Sequence, residues 1–466
     1  MNKTRIAEIL GATGGKLVRG SEEACITGVW HDSRQCSEGD MFVAISGENQ
    51  DGHKYIPDVY GKGCRTVLVS HTDGWLEALD AVKAEDVNII LTEDTVEAMD
   101  NFARWYLAAL DVKKVAVTGS VGKTSVRDMI YYVLGEKYNC GRNLKNYNNK
   151  IGLPISIFQF DDATEAVVLE MGMDSFGEIR ILSGIVKPQI GVITTIGVAH
   201  MEKLGSRDGI FQAKMEIAEN ILPQAEGGAL VYGRDDEFLN GERTKGDYTE
   251  VSVGTDGRSD YIISNIDDFG LEGIEFTLEH REETRRIKLP LPGTHNAVNA
   301  GLAIAVGKLL GVDWDQASKG LAKAELTGSR LRKVQGRKMT VIDDTYNANP
   351  DSMKSALKVL AMSPCKGSRV AVLGDMFELG DDSDKLHYGV GMFARGCGID
   401  KLIAIGDNAS EIARGAEGGD VEVHYFPKKE DFYGVMDQIT GEGDIVLVKA
   451  SRGMKMEDIV ARAAEL

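Results

Sequence analysis

Hydrophobic and polar positions recur with two different periods along this chain. Short strand-like runs at 41–45 and 66–69 sit in a turn-rich first stretch reaching to about residue 91. Apolar residues then return at three- and four-residue steps over 96–110, which predicts a helix. A short apolar run at 115–117 leads through a glycine-rich turn into a second helix, marked by Val126, Met129, Ile130, Val133 and Leu134. Further strand-like runs at 166–169, 190–193 and 229–232 alternate with helical patterns, which implies a mainly parallel sheet. The pattern restarts near Arg330, with strands predicted at 340–342, 369–373, 401–405 and 444–448 and helices between them, a second open α/β region. No short fixed-period repeat is present. The stretch Gly389-Val390-Gly391-Met392-Phe393-Ala394 loosely matches a dinucleotide fingerprint, but it follows a polar helical segment and not a strand, and reads as coincidence.

The chain has 466 residues, enough for two to four domains. Its 53 Lys and Arg against 72 Asp and Glu give a net charge of −19. Such a surface repels phosphate backbones, which argues against nucleic acid as a partner and requires any anion site to be a local basic or helix-terminal island. The six cysteines form no C-x-x-C pair or disulfide framework, and neither a signal core nor a membrane-length apolar run is seen. These features predict a cytoplasmic protein without membrane insertion.

Candidate chemistry gathers where apolar runs end. Gly119, Ser120, Val121, Gly122, Lys123, Thr124 and Ser125 lie between a predicted strand and a predicted helix, the context of a phosphate loop. Glycines there let backbone N–H groups turn toward phosphate oxygens, and the helix adds its positive N-terminal end. Lys123 would neutralise the β- and γ-phosphates and Thr124 would reach Mg²⁺; the spacing departs from the usual pattern in having Val117 at the first glycine position. Glu170 ends the run 166–169, where a carboxylate can hold Mg²⁺ directly or through water. His200 follows the run 190–193 at the same sheet edge, a position that suits a structural histidine equally well.

In a helix predicted over 208–221, Ile210, Lys214, Ile217 and Ile221 share one face. A lysine on that stripe must snorkel to water, find a partner or lose its cationic character. Carbamylation by CO₂, which converts the amine into an anionic metal ligand, is a further option. Asn296 and Asn299, three residues apart after a Pro-Gly turn, could read a heterocycle edge or serve the helix start. The tract from Asp343 to Pro350 concentrates polar and acidic groups at a strand's carboxyl edge, more densely than a simple connection needs.

The ordered set TGSVGKTS, NYNNKIGLP, LEMGMDSFGEI, GVAHMEKLGS, AKMEI, PGTHNAVNA, DDTYNANPDSM, LGDMFELG and KASRGMKMEDIV closely resembles the Mur ligase family over essentially the whole chain. Within it, NANPDSM resembles the members that add D-alanyl-D-alanine to UDP-N-acetylmuramoyl-tripeptide, and the DNPR tract of the ligase adding the third residue is absent. The resemblance implies three α/β domains. These are a small N-terminal UDP-substrate-binding domain over 1–94, a central P-loop ATP-binding domain with a mainly parallel sheet over 95–328, and a C-terminal Rossmann-like domain over 329–466. It implies an ATP-dependent ligase of peptidoglycan precursor synthesis that acts through an acyl phosphate, as a monomer whose domains close around nucleotide.

Carried onto this sequence, the resemblance gives Lys123 the phosphates, and gives Thr124 with Glu170 one Mg²⁺. His200 and carbamylated Lys214 are assigned to the second of two Mg²⁺ ions. Asn296 and Asn299 then lie on the adenine side, Arg330 contacts ATP near the hinge to the last domain, and Asp344 and Tyr346 line the nucleotide. Ser33, Arg34, Asp51 and His53 resemble UDP-site residues, and Asn146 and Asn149 a substrate channel. Met215 stands where relatives often carry Gly. A folylpolyglutamate-synthetase-like ligase is the nearest competing enzyme, against which the N-terminal DSR and DGH tracts argue. A non-catalytic nucleotide-binding module would be expected to have lost at least one of Lys123, Glu170, His200 and Lys214.

Overall fold

The computed structural model describes residues 1–466 except 48–49, 82–83, 198–200 and 242, and the side chain of residue 202. Two compact units emerge. One comprises Met1–Thr118, Tyr138–Gly191 and Met215–Ala229; the other comprises Gly119–Lys137, Val192–Lys214 and Leu230–Leu466.

In the first unit, a five-stranded sheet runs Lys16–Arg19, Asn88–Leu91, Thr66–Val69, Asp40–Val43, Gly28–Trp30, parallel except for the first strand. Phe42, Val67, Val69 and Ile89 pack beneath Val59, Trp75 and Leu79 to form its core. The helix Thr95–Ala109 starts where Asp94 accepts hydrogen bonds from the N–H groups of Val96 and Glu97. Its buried residues Ala98, Met99, Phe102, Ala103, Tyr106 and Leu107 follow the helical period, and it packs on the helices Ile6–Thr13, Gly152–Ile157 and Glu178–Val186. Beyond it, the strand Ala166–Glu170 pairs in parallel with Lys113–Thr118 on one side and Cys140–Arg142 on the other.

In the second unit, the helix Lys123–Leu134 packs on Asn296–Leu309 and Trp314–Leu321. Gly320 is required there, because a Cβ would stand 2.5 Å from the Tyr132 carbonyl oxygen. The strands Tyr261–Asp268, Ile274–His280 and Glu283–Leu289 form an antiparallel meander that the apolar runs did not reveal. The reason is visible in Glu283–Leu289, where only Ile287 and Leu289 are buried. The last sheet is ordered Arg332–Gln335, Thr340–Asp344, Ile445–Lys449, Arg369–Gly374, Lys401–Ile405, Glu422–Phe426, with only the first pair antiparallel. Its inner strands Arg369–Gly374, Lys401–Ile405 and Ile445–Lys449 are mainly apolar because both faces are covered: Val370 and Val372 enter one core, Ala371 and Leu373 the other.

The lysine-bearing helix departs from the sequence expectation. It is α-helical only over Arg207–Met215 and tightens into a 3₁₀ turn at Glu216–Asn220, ahead of Pro223. Residues 389–394 lie inside the helix Ser383–Gly396, as expected for a coincidental glycine pattern. No helix among the described residues is long and apolar enough to cross a membrane.

Asp100 is a local conflict in the first unit. Its side chain sits on the buried face of Thr95–Ala109 at 8% exposure, and Oδ1 has no hydrogen-bond partner among the described residues. Burial pushes its carboxyl up to about 7. The folded protein therefore opposes an ionisation that the unfolded chain completes near pH 4, so stability falls as pH rises from about 4 to about 7. Asp100→Asn should raise stability at pH 8 by about 1–3 kcal/mol, with the gain fading toward pH 4. Denaturant melts of both proteins across that range check it; a pH-independent difference would contradict the assignment.

Candidate active site

The phosphate loop leaves the strand Lys113–Thr118 and enters the helix Lys123–Leu134. Gly119 has φ +148°, and a Cβ on it would lie 1.9 Å from Thr194 Oγ1, so only glycine permits this approach. Gly122, at φ +86°, faces Asn299 in the same way, with Oδ1 3.0 Å from a would-be Cβ. Thr194 and Thr195 clamp the turn: Ser120 N donates to Thr195 O at 2.8 Å, Val121 N to Thr195 Oγ1 at 3.3 Å, and Thr194 Oγ1 to Val121 O at 2.5 Å. Both threonines were missed as site residues, although they directly follow the apolar run 190–193.

Lys123 Nζ donates to the loop's own Gly119 and Ser120 carbonyls, at 2.8 and 3.4 Å. Thr124 is buried in the first helical turn. The Ser120 hydroxyl is also buried, with no partner among the described residues, and is the kind of donor a phosphate oxygen satisfies. The loop therefore fits a nucleotide phosphate by backbone shape, charge and donor supply.

Lys214 does not snorkel. Its side chain is 1% exposed, and burial, reinforced by the nearby Lys123 charge, drops its amine well below the ordinary lysine range. A neutral amine is a poor ligand for a hard cation, whereas a carbamate on the same atom presents oxygens. Thr124 and Glu170 are oxygen donors of the kind that Mg²⁺ takes. His200 lies outside the described residues.

Glu170 ends its strand opposite Val117 of the strand Lys113–Thr118, two residues before the loop begins. The asparagine tract holds it: Asn148 Nδ2 donates to Glu170 Oε1 at 2.8 Å, and Asn143 brackets the Glu170 backbone, accepting from N at 2.5 Å and donating to O at 3.1 Å. These two asparagines are not the pair the sequence singled out. Asn146 and Asn149 are exposed, and Asn149 Oδ1 accepts from Gly152 N at 2.8 Å at the start of the helix Gly152–Ile157.

Asn296 and Asn299 are both buried and bonded together, Asn299 Nδ2 to Asn296 Oδ1 at 2.8 Å, while Asn296 Nδ2 donates to Pro292 O at 2.7 Å. Asn299 brings the start of Asn296–Leu309 up against Gly122 of the phosphate loop. Arg330 lays its guanidinium over the Tyr346 ring, 3.6 Å from its centroid. Asp344 is the last residue of Thr340–Asp344, buried and paired with Lys449 Nζ at 2.7 Å, and burial raises its carboxyl pKa against the pull of that lysine. Lys449, unremarked in the sequence, also donates to Asn347 O at 2.8 Å.

In the N-terminal region, Arg34 is exposed and held by Asp32, with Nε–Oδ1 2.9 Å and Nη2–Oδ2 2.7 Å; this pairing keeps the Asp32 carboxyl far below its usual range. The Ser33 carbonyl accepts from Lys62 Nζ at 3.0 Å. His53 is 1% exposed, which leaves Asp51 and His71 as the accessible members of a stacked cluster. Asp51 Oδ1 faces His53 Nδ1 at 2.6 Å, and His53 Nε2 accepts from Ser70 N at 3.0 Å. Both ring nitrogens are thus committed, so three potential metal donors side by side form a hydrogen-bonded scaffold.

Family models match three stretches: "Mur ligase family, catalytic domain" over 25–106, "Mur ligase middle domain" over 117–307 and "Mur ligase, glutamate ligase domain" over 329–452. The UDP-N-acetylmuramoyl-tripeptide--D-alanyl-D-alanine ligase of Bacillus subtilis is 36% identical over 94% of this chain and 93% of its own. A crystal structure of MurF from Acinetobacter baumannii superposes with TM-score 0.87 at 30% identity, covering 99% of this chain and 98% of that one. MurF ligase from Thermotoga maritima, solved in complex with ADP, gives TM-score 0.79 at 26% identity over 93% and 96% of the two chains. A likeness of this extent in both sequence and three-domain α/β structure means that the chain belongs to the Mur ligase family.

Proposed function

We propose that this chain is an ATP-dependent, cytoplasmic peptide ligase that joins D-alanyl-D-alanine to UDP-N-acetylmuramoyl-tripeptide, acting as a monomer in peptidoglycan precursor synthesis. The observation that carries the reading is a phosphate loop with a fully buried lysine near Lys123, in a chain that matches the Bacillus subtilis relative over 94% of its length. The divisions near 94/95 and 328/329 are proposed as its domain boundaries.

A carboxylate oxygen of the tripeptide attacks the γ-phosphorus of ATP, and ADP leaves. The dipeptide amine then adds to the acyl carbon, loses a proton, and the tetrahedral intermediate expels inorganic phosphate. The chain's work is to position and neutralise charge. The loop backbone and Lys123 hold the phosphates, and the Thr194–Thr195 clamp keeps that backbone in its turn. Thr124, Glu170, His200 and Lys214 are the residues proposed to hold two Mg²⁺ ions, which when bound would supply charge neutralisation between phosphoryl donor and acceptor. Asn143 and Asn148 orient Glu170 for that role. Lys214 takes part as a carbamate, formed when its amine adds to CO₂ and releases a proton; burial as a neutral amine favours that addition. Asn296, Asn299, Arg330, Asp344 and Tyr346 are assigned to the nucleotide, Ser33, Arg34, Asp51 and His53 to the UDP moiety, and Asn146 and Asn149 to the substrate channel.

The purified chain should release phosphate from ATP only when UDP-N-acetylmuramoyl-tripeptide and D-alanyl-D-alanine are both present. Phosphate release with a folate acceptor, or with a single amino acid in place of the dipeptide, would reject the substrate assignment.

Lys214→Ala should lower turnover on the order of 10²-fold, and added acetate should restore part of it by supplying the missing carboxylate. Phosphate release measured with and without acetate decides this; full activity in the untreated variant excludes the carbamate.

A further inference from the structure

The helix that the phosphate loop enters carries a second buried charge that the chemistry above does not use. Asp128 and its neighbour Arg127 are both wholly buried, with Arg127 Nε and Nη2 on Asp128 Oδ1 at 2.9 and 2.6 Å. The other carboxylate oxygen, Oδ2, accepts from the backbone N–H of Thr327 at 2.7 Å. Thr327 then turns its carbonyl to Arg330, whose Nη1 donates to it at 2.6 Å. Arg330 in turn stacks on Tyr346, and Arg452 approaches the same ring at 5.2 Å.

The stretch between is a specified shape and not a slack connection. Gly328 has φ +85°, and a Cβ there would stand 3.2 Å from Arg330 Nη1 and 3.4 Å from Tyr346 Cδ2. Leu331 holds φ +50°, and its N–H donates to Asp344 Oδ1 at 3.2 Å. Tyr346 N donates to Ser329 O at 3.1 Å. A continuous series of short bonds thus runs from the phosphate-loop helix through Thr327 to the Arg330–Tyr346 stack.

We propose that Asp128 is a positioning residue for the nucleotide: it holds Thr327, and through it Arg330, in fixed register with the phosphate loop. Asp128 lies five residues past Lys123, roughly 7.5 Å along a rigid helix, so a bond to its carboxylate transmits the loop's position without slack. An asparagine would supply an acceptor for one N–H at a lower burial cost. The charge adds strength, since a charge-assisted bond is about twice as strong as a neutral one. The proposal rests on the reading of Arg330 as a nucleotide contact, and not on which acceptor the ligase uses.

The test is a double-mutant cycle on the full chain, reading ADP affinity by calorimetry and KM for ATP beside kcat. Asp128→Ala should weaken ADP binding and raise KM for ATP about tenfold, while leaving KM for the UDP-linked substrate unchanged; in an Arg330→Ala background the same change should cost less than about twofold. Equal losses in both backgrounds, or wild-type ADP affinity in Asp128→Ala, would overturn the proposal. Wild-type affinity in Arg330→Ala alone would instead remove the reading of Arg330. Should Asp128→Ala fail to fold, Asp128→Asn decides by the same cycle, with an expected loss of about two- to fivefold that vanishes without Arg330.

Discussion

The close approach of the phosphate-loop backbone to Thr194 and Thr195 is the constraint on which the rest of the site depends. A side chain at 119 would overlap the Thr194 hydroxyl, and that hydroxyl is itself bonded to the Val121 carbonyl. The turn is therefore closed from outside the loop. Its shape places Lys123 and Thr124 at the head of a helix whose far side is anchored by Asn296–Leu309 and Trp314–Leu321. Loosening the threonines would shift the loop before any charged group was touched.

The fold also buries charges and near-charges that isolated helices and strands would expose. Lys214 is enclosed as an amine, Asp128 is enclosed with Arg127, and Asp344 with Lys449. Burying such groups is costly unless each is paired or changes its protonation state. The ion pairs follow the first route. Lys214 follows the second, its amine held well below the ordinary lysine range by burial. Asp100 follows neither completely and marks a weak point of the first unit.

The polar tracts divide into residues that stand exposed and residues that hold others in place. In the asparagine tract, Asn143 and Asn148 brace Glu170 while Asn146 and Asn149 face solvent. In the N-terminal tract, His53 is a buried prop between Asp51 and the Ser70 backbone, and His71 stacks on it. Composition could not separate these roles, because the same side chains serve both.

By itself the sequence determined the α/β alternation, the phosphate loop, the strand-end placement of Glu170 and the family. Each depends on residues close together in the chain: apolar runs, glycines at a turn, one acid after a strand. It did not reveal the meander from 261 to 289, whose strands are half-exposed and carry charges on the open face. Nor did it reveal that helix 208–221 breaks after Met215, that Thr194 and Thr195 lock the loop, or that Asp128 reaches Thr327. The last two depend on groups that meet across more than seventy residues of chain. Only the tertiary packing decides that, because a hydrogen bond is set by distance in space and leaves no period in the sequence.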